Sequence, residues 1–217
     1  MRTHLIALAI VLGALYVATS AGAQKPPKAG SVSLKASADR VVFSQPVTLD
    51  GMVKGAKAGV TVTLERRAAA GTVFTPAATA TTTDKGRFSF SVRPRSNSVF
   101  RVTAATTPPA TSGEVRVDVS PLVGLRVSDR TPHKGQRVRF RGTVRPPHDG
   151  RRVAIQRKRA DGTWNTVRRP RLRDAGSTFS RYSKRIRIRR SGTYRTVIGA
   201  HADHAEGVSR ERTLTVG

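Results

Sequence analysis

The 217 residues include no cysteine, a single tryptophan, three tyrosines and only 13 acidic side chains against 40 lysines and arginines. Without cysteine neither a disulfide framework nor lipid attachment at a cleaved cysteine can form, so stability has to come from packed apolar cores. After residue 23 no apolar run approaches the roughly 20 residues that a membrane span needs, and no segment shows a convincing helical period. Catalytic signatures are missing too. There is no Gly-x-Ser-x-Gly and no phosphate-cradling glycine loop, and His133 has no evident serine and carboxylate partners. The thirteen Asp and Glu are scattered, mostly at turns, rather than paired as glycoside hydrolysis requires. Asp84 and Asp174 each precede a glycine by two residues, which is turn chemistry. The sequence therefore predicts a protein that is not an enzyme and needs no cofactor.

What is present in excess is positive charge, a formal +27. It is uneven. Residues 24–119 hold 14 Lys and Arg against 6 Asp and Glu, or +8, whereas residues 120–217 hold 25 against 7, or +18. Such a field draws polyanions from about 8 Å at physiological salt, and the second half should dominate the attraction.

Arg2 and His4 are followed by an uncharged stretch, Leu5 to Ala18, and then by Thr19-Ser20-Ala21-Gly22-Ala23. A basic end, a short apolar run and small residues at Ala21 and Ala23 form a secretory signal, with cleavage expected after Ala23. An uncleaved N-terminal anchor is the competing reading, disfavoured by the shortness of the run. No C-terminal wall-anchoring signal is read, so the expected localisation is secreted or extracellular, with retention at the cell surface by charge.

Beyond a linker at 24–31, short runs alternate apolar and polar residues and are broken every eight to twelve positions by Gly, Pro, Asp or Asn, the pattern of short antiparallel strands. The runs repeat. Val47-Thr48-Leu49-Asp50-Gly51-Met52-Val53 matches Val138-Arg139-Phe140-Arg141-Gly142-Thr143-Val144 at an offset of 91, and Gly59, Val62, Leu64 and Arg66 fall on Gly150, Val153, Ile155 and Arg157. Phe74 falls on Trp164, Asp84-Lys85-Gly86 on Asp174-Ala175-Gly176, and Val99-Phe100-Arg101 on Thr193-Tyr194-Arg195. The unit is about 90 residues long, giving domains at 32–119 and 120–217 behind a signal peptide at 1–23. Seven strands are expected per unit, in the first near 32–36, 47–53, 60–67, 73–81, 87–93, 99–105 and 113–119. Period two predicts an inward set of Val47, Leu49, Val62, Leu64, Phe88, Phe90 and Val102, then Val138, Phe140, Val153, Ile155, Ile186, Ile188 and Val197.

The Val-x-Leu-x-Gly strand, the Gly59 to Arg67 strand, the Asp84-Lys85-Gly86-Arg87-Phe88-Ser89-Phe90 turn and strand, and Ser191-Gly192-Thr193-Tyr194-Arg195 resemble the immunoglobulin-like or fibronectin III-like modules found in tandem in many secreted bacterial proteins. The resemblance covers nearly the whole chain after the signal segment. It implies an all-β fold of two tandem seven-stranded immunoglobulin-like β-sandwich domains after an N-terminal signal helix, and a spacer, adhesion or carbohydrate-binding accessory role. Antibody-type membership is excluded by the lack of an inter-sheet cysteine pair, and a transthyretin-like sandwich is the nearest competing fold. Tyr194 stands where a tyrosine corner places a phenol bonded back to the chain; Phe100 occupies that position in the first copy.

Two constellations carry candidate chemistry. Arg137-Val138-Arg139-Phe140-Arg141 and Arg185-Ile186-Arg187-Ile188-Arg189 put three arginines each on one strand face. If these are the second and fifth strands of a sandwich they are neighbours in one sheet, together with the first and fourth strands, and Arg126 on the first strand makes a seventh guanidinium. The first copy has Pro46, Thr48 and Asp50 on one strand and Ser89 and Ser91 on the other. The fold therefore does not require the arginines, and the face reads as an anion-binding surface. Its expected partners are anionic polymers: wall polyphosphate, acidic polysaccharide, or nucleic acid bound without sequence preference. Specific nucleic-acid recognition is disfavoured because only Trp164, Tyr182 and Phe179 accompany the basic strands, and Trp164 is expected to cover the core edge as Phe74 would. The alternative is a structural or protein-interaction module with a protein partner, its charge incidental to a composition of 31 Arg against 9 Lys. The second constellation is His201-Ala202-Asp203-His204-Ala205-Glu206, whose loop should meet His148-Asp149 at one pole of a sandwich. The expectation there is a plain polar loop without metal; His148, His201, Asp203 and His204 are the ligands a zinc ion would use.

Overall fold

The computed structural model describes residues 30–217. The expected signal helix (1–23) and most of the linker lie outside the described residues. Among those described there is no helix, and so none long and apolar enough to cross a membrane; the chain is all-β.

Nine strands precede residue 121: β1 (Val32–Ala36), β2 (Arg40–Val42), β3 (Val47–Val53), β4 (Thr61–Ala68), β5 (Thr75–Thr81), β6 (Arg87–Val92), β7 (Ser98–Ala104), β8 (Ala110–Thr111) and β9 (Val115–Ser120). Ten follow: β10 (Leu122–Val123), β11 (Arg126–Val127), β12 (Arg137–Arg145), β13 (Ala154–Lys158), β14 (Trp164–Arg168), β15 (Arg173–Asp174), β16 (Ser180–Arg187), β17 (Gly192–Ile198), β18 (Gly207–Val208) and β19 (Arg212–Leu214). In the N-terminal half one sheet runs β1-β3-β6 and the other β2-β9-β7-β4-β5, with β8 on β7. In the C-terminal half one runs β10-β12-β16-β15, with β11 also on β12, and the other β14-β13-β17-β18, with β19 on β17. Among the described residues no sheet mixes the halves, and each half encloses its own core cluster.

The alternation in the sequence explains these cores. Along β12 the residues Val138, Phe140 and Val144 are buried and Arg137, Arg139, Arg141 and Arg145 exposed; β3 buries Val47, Leu49 and Val53 in the same way. Each such side chain contributes about 1.5–3 kcal/mol when fully removed from water. The glycine of the Val-x-Leu-x-Gly motif is a packing requirement. A Cβ on Gly51 would collide with the Phe88 ring and the Ser33 carbonyl, and one on Gly142 with the Gly124 carbonyl and the Tyr182 hydroxyl. At this position the first strand and an aromatic ring close in on the backbone, and only glycine leaves room.

All fourteen expected inward residues are buried, but Val197 is on the wrong face. Tyr194 and Ile198 of β17 belong to the core cluster and Val197 does not, so period two puts Thr196 inward and Val197 on the opposite face. Three further expectations are corrected. The strand expected near 73–81 is β5, and it pairs with β4 rather than joining the sheet of β1, β3 and β6; its counterpart β14 likewise pairs with β13. The phenol anchored to the chain is Tyr182, which donates to the Gly124 carbonyl or Thr196 Oγ1, each 2.8 Å away, whereas the Tyr194 phenol lies beside the Arg157 side chain. Trp164 and Phe74 are absent from both core clusters; each instead lies under an arginine, Arg195 at 4.1 Å from the Trp164 ring centroid and Arg101 at 4.1 Å from that of Phe74. Short strands β2 and β8 add to the expected set. β2 runs parallel to β9 and β8 adds only two residues, lengths too small for periodicity to register.

The halves are tied together by main-chain bonds. Asn97 N–H donates to the Asp203 carbonyl at 2.8 Å and Ala205 N–H to the Val119 carbonyl at 2.9 Å, so the loop after β17 is docked on the N-terminal half.

Candidate functional site

Strands β12 and β16 are antiparallel neighbours in register, with Arg137 opposite Arg187, Arg139 opposite Arg185 and Arg141 opposite Ser183. On the other side β11 sets Arg126 opposite Arg141. With strands about 4.8 Å apart and same-face residues about 6.7 Å apart along each strand, these side chains form a lattice of guanidinium groups on the outer face. Arg189 follows the end of β16 and adds exposed charge at its margin.

The face is larger than the two triplets. Arg145 continues the same parity on β12, Arg181 does so on β16, and Arg173 on β15 stands opposite Arg181. All are exposed. Extending period two by four residues beyond each triplet reaches Arg145 and Arg181, a signal the sequence did contain. Arg212 was not readable in this way. It belongs to β19 in the other sheet, and its Nε donates to the Leu125 carbonyl at 3.2 Å, which brings the side chain round the edge.

A groove of about 720 Å³ runs across this face, lined by Arg126, Arg139, Arg141, Arg145, Arg181 and Arg212, with Phe179 and Tyr182 in its wall and no carboxylate among its lining residues. The Arg145 guanidinium lies 5.2 Å from the Phe179 ring centroid. The three ion pairs among the described residues all lie in the N-terminal half: Arg67 with Glu114, Arg101 with Glu65, and Arg116 with Asp118. None neutralises the C-terminal face. Like charges directly opposite each other cost a few tenths to about 1 kcal/mol per pair, so the lattice is maintained against its own repulsion.

At the pole next to the N-terminal half, His148, His201 and His204 converge, with ring centroids 4.9, 4.9 and 5.2 Å apart. His201 and His204 form an isolated antiparallel bridge across the two-residue turn Ala202-Asp203, and residues directly opposite in such a bridge project to the same side. His148 comes from the segment after β12. Its backbone N–H donates to Ser180 Oγ at 2.6 Å, whose hydroxyl donates to Asp149 Oδ1 at 2.6 Å. The His148 Nδ1–H is bonded to the Pro146 carbonyl at 2.7 Å and the His204 Nε2–H to the Arg95 carbonyl at 2.9 Å. The expected plain polar loop is therefore a docked one, with His148 and His204 both 7% exposed. Burial lowers the pKa of all three imidazoles; Arg151 lowers His148 and His201 further, while the carbonyl bonds of His148 and His204 act against burial. Asp149 and Asp203 line the same cavity. Asp203 is not among the groups close enough to share an ion with the three imidazoles, whose nitrogens lie within 4.8 Å of one another.

No protein-family model and no curated protein matches the chain. Among solved structures it is similar to a Salmonella alpha-2-macroglobulin, at 11% identity and a TM-score of 0.35, over 85% of this chain and 16% of the macroglobulin. It is also similar to the D0–D1 domain of intimin, at 14% identity and a TM-score of 0.31, over 85% of this chain and 97% of that one. This chain thus spans about a sixth of the macroglobulin.

Proposed function

We propose that this is a secreted, non-enzymatic protein of two immunoglobulin-like domains that binds anionic polymers of the cell surface or its surroundings through the outer face of β12 and β16. The observation that carries the reading is the register: arginine stands opposite arginine at 137 and 187, 139 and 185, and 126 and 141, beside a groove without acidic lining. Guanidinium groups pair bidentately with phosphate, sulfate and carboxylate. A repeated anion along a flexible chain meets a repeated cation along each strand, and the repulsion stored in the face is relieved when the polymer docks.

Binding to heparin and to inorganic polyphosphate should fall steeply as salt rises. The triple variant Arg137→Thr, Arg139→Thr and Arg141→Thr should flatten the log–log salt dependence by about two to three, near 0.7–0.9 for each anionic group left without its arginine. A charge-matched control, Arg159→Thr, Arg168→Thr and Arg210→Thr, removes three exposed arginines from the other side of the same half and should change the slope by less than one. Equal losses in the two variants would favour the alternative, a structural or protein-interaction module whose many arginines outside the face make the charge incidental. Full binding in the first variant would eliminate the basic-face reading.

A further inference from the structure

We propose that His148, His201 and His204 form a transition-metal site, selective for zinc over calcium or magnesium, that fastens the turn carrying His201 and His204 where it docks on the N-terminal half. The site does not depend on the basic face.

Three observations support it. First, the donors are three imidazoles with their nitrogens within 4.8 Å of one another. A tetrahedral zinc ion with bonds of about 2.0–2.1 Å sets its ligand nitrogens about 3.3 Å apart, so modest ring movements close the site. Neutral nitrogen donors suit zinc, and calcium and magnesium require oxygen. Second, two of the rings already have the outer bonds that ligand histidines use. Each gives one N–H to a backbone carbonyl, His148 to Pro146 and His204 to Arg95, which fixes the tautomer and leaves the other nitrogen's lone pair free. Third, the free nitrogen of His204, Nδ1, is buried and has no hydrogen-bond partner. An unsatisfied buried acceptor is unfavourable, and a metal ion satisfies it.

His201 completes the set. It is the most exposed of the three, and its Nδ1 accepts only long contacts, 3.3 Å from Asp203 N–H and 3.2 Å from His204 N–H. These are readily exchanged for a metal bond. Asp149 and Asp203 at the cavity wall offset the charge of Arg151. The site touches the N-terminal half through the His204 bond to Arg95, beside the Asn97 bond to Asp203, so an ion that orders the turn also strengthens that contact.

The test is zinc titration of the untagged, chelator-treated full chain by calorimetry at physiological salt, with calcium as a parallel arm. The expected result is one zinc per chain, no calcium binding, and a melting temperature that rises with zinc concentration. His201→Ala, at a partly exposed turn position, should raise the Kd at least tenfold while the circular dichroism spectrum stays unchanged. His133→Ala, which removes a histidine outside the cluster, should leave the Kd as it was. Cobalt should give the intense visible bands of a low-coordinate nitrogen site, lost in His201→Ala. Absence of saturable zinc binding near one equivalent, or wild-type affinity in His201→Ala, would overturn the proposal.

Discussion

The two halves use the same strands and treat charge in opposite ways. In the N-terminal half β1 and β3 set Lys35 opposite Asp50, a pair of opposite sign. The equivalent positions in the C-terminal half are Arg126 and Arg141, a pair of like sign. Glu65 accepts from Arg101 Nε at 2.7 Å, and at the matching place Gln156 Oε1 accepts from Arg195 Nε at 2.8 Å. The hydrogen bond is kept and the negative charge is dropped. Meanwhile the features that build the fold recur: the motif glycines Gly51 and Gly142, the buried strand residues, and an arginine stacked on Phe74 or Trp164. Because the fold forms with either charge pattern, the arginine lattice is not a requirement of folding, and that separates a functional candidate from a structural one.

The largest effect should come from the buried phenol that the N-terminal half lacks. Register places Phe88 opposite Gly51 and Tyr182 opposite Gly142, so Tyr182→Phe imitates the first copy at that point. It leaves the Gly124 carbonyl without its phenol donor and should cost about 1–3 kcal/mol in denaturant unfolding. Burial also pushes the Tyr182 pKa well above its ordinary 10, so the phenol remains a donor throughout the accessible pH range.

Acid should distinguish the halves next. The described residues before Ser120 contain no histidine, whereas His148, His201 and His204 have folded-state pKa values below the ordinary 6.5. Below pH 6.5 the unfolded chain takes up protons that the folded chain refuses. Stability from these groups is therefore full above 6.5, falls as the pH drops below it, and levels off once the folded imidazoles are protonated as well. Asp149 and Asp203 soften the loss and Arg151 deepens it. In metal-free protein, unfolding followed by probes in each half should show the C-terminal transition moving with pH from 7 to 5 and the N-terminal one holding; parallel movement would show that the buried histidines do not set the two halves apart.

Grafting tests whether the lattice can be transferred. Thr48→Arg with Asp50→Arg should steepen the salt dependence of polyphosphate binding by about two, with a stability cost of a few tenths to about 1 kcal/mol per like-charge neighbour. An unchanged slope would show that charge density on a strand is insufficient and that the groove beside β11 and Phe179 is needed. The smallest effect is expected for Gln156→Glu, which restores the missing carboxylate beside Arg195. A partly exposed pair of this kind is worth about 0.2–1 kcal/mol, measurable by thermal unfolding, and it should leave polymer binding nearly unchanged because it lies on the other sheet.

Much of this was legible in the residues. Alternation along Val47 to Val53 and Val138 to Val144 identifies both strands and their buried faces, because burial on one side of a strand imposes a period of two. The 91-residue offset exposes the repeat, and the repeat exposes the arginines as an addition to the fold. Where local pattern is degenerate the reading fails. In β17, Thr196, Val197 and Ile198 are all buried, so composition does not say which side faces the core, and hydrophobicity alone favours Val197 over Thr196. The edge strands β5 and β14 contain the same alternation whichever sheet they join, so their assignment depends on hydrogen-bond partners that sequence does not record.

The all-β class, the repeat and the parity that sends arginine out and valine in are readable along the chain, since they follow from interactions between residues a few positions apart or from direct self-comparison. What emerges only in the folded chain is that Arg212 reaches round to join Arg126, and that the turn carrying His201 and His204 meets the N-terminal half at Arg95 and Asn97. Those meetings depend on how separate strands and loops pack, and the physical information for that packing is spread over the whole chain rather than written in any one segment.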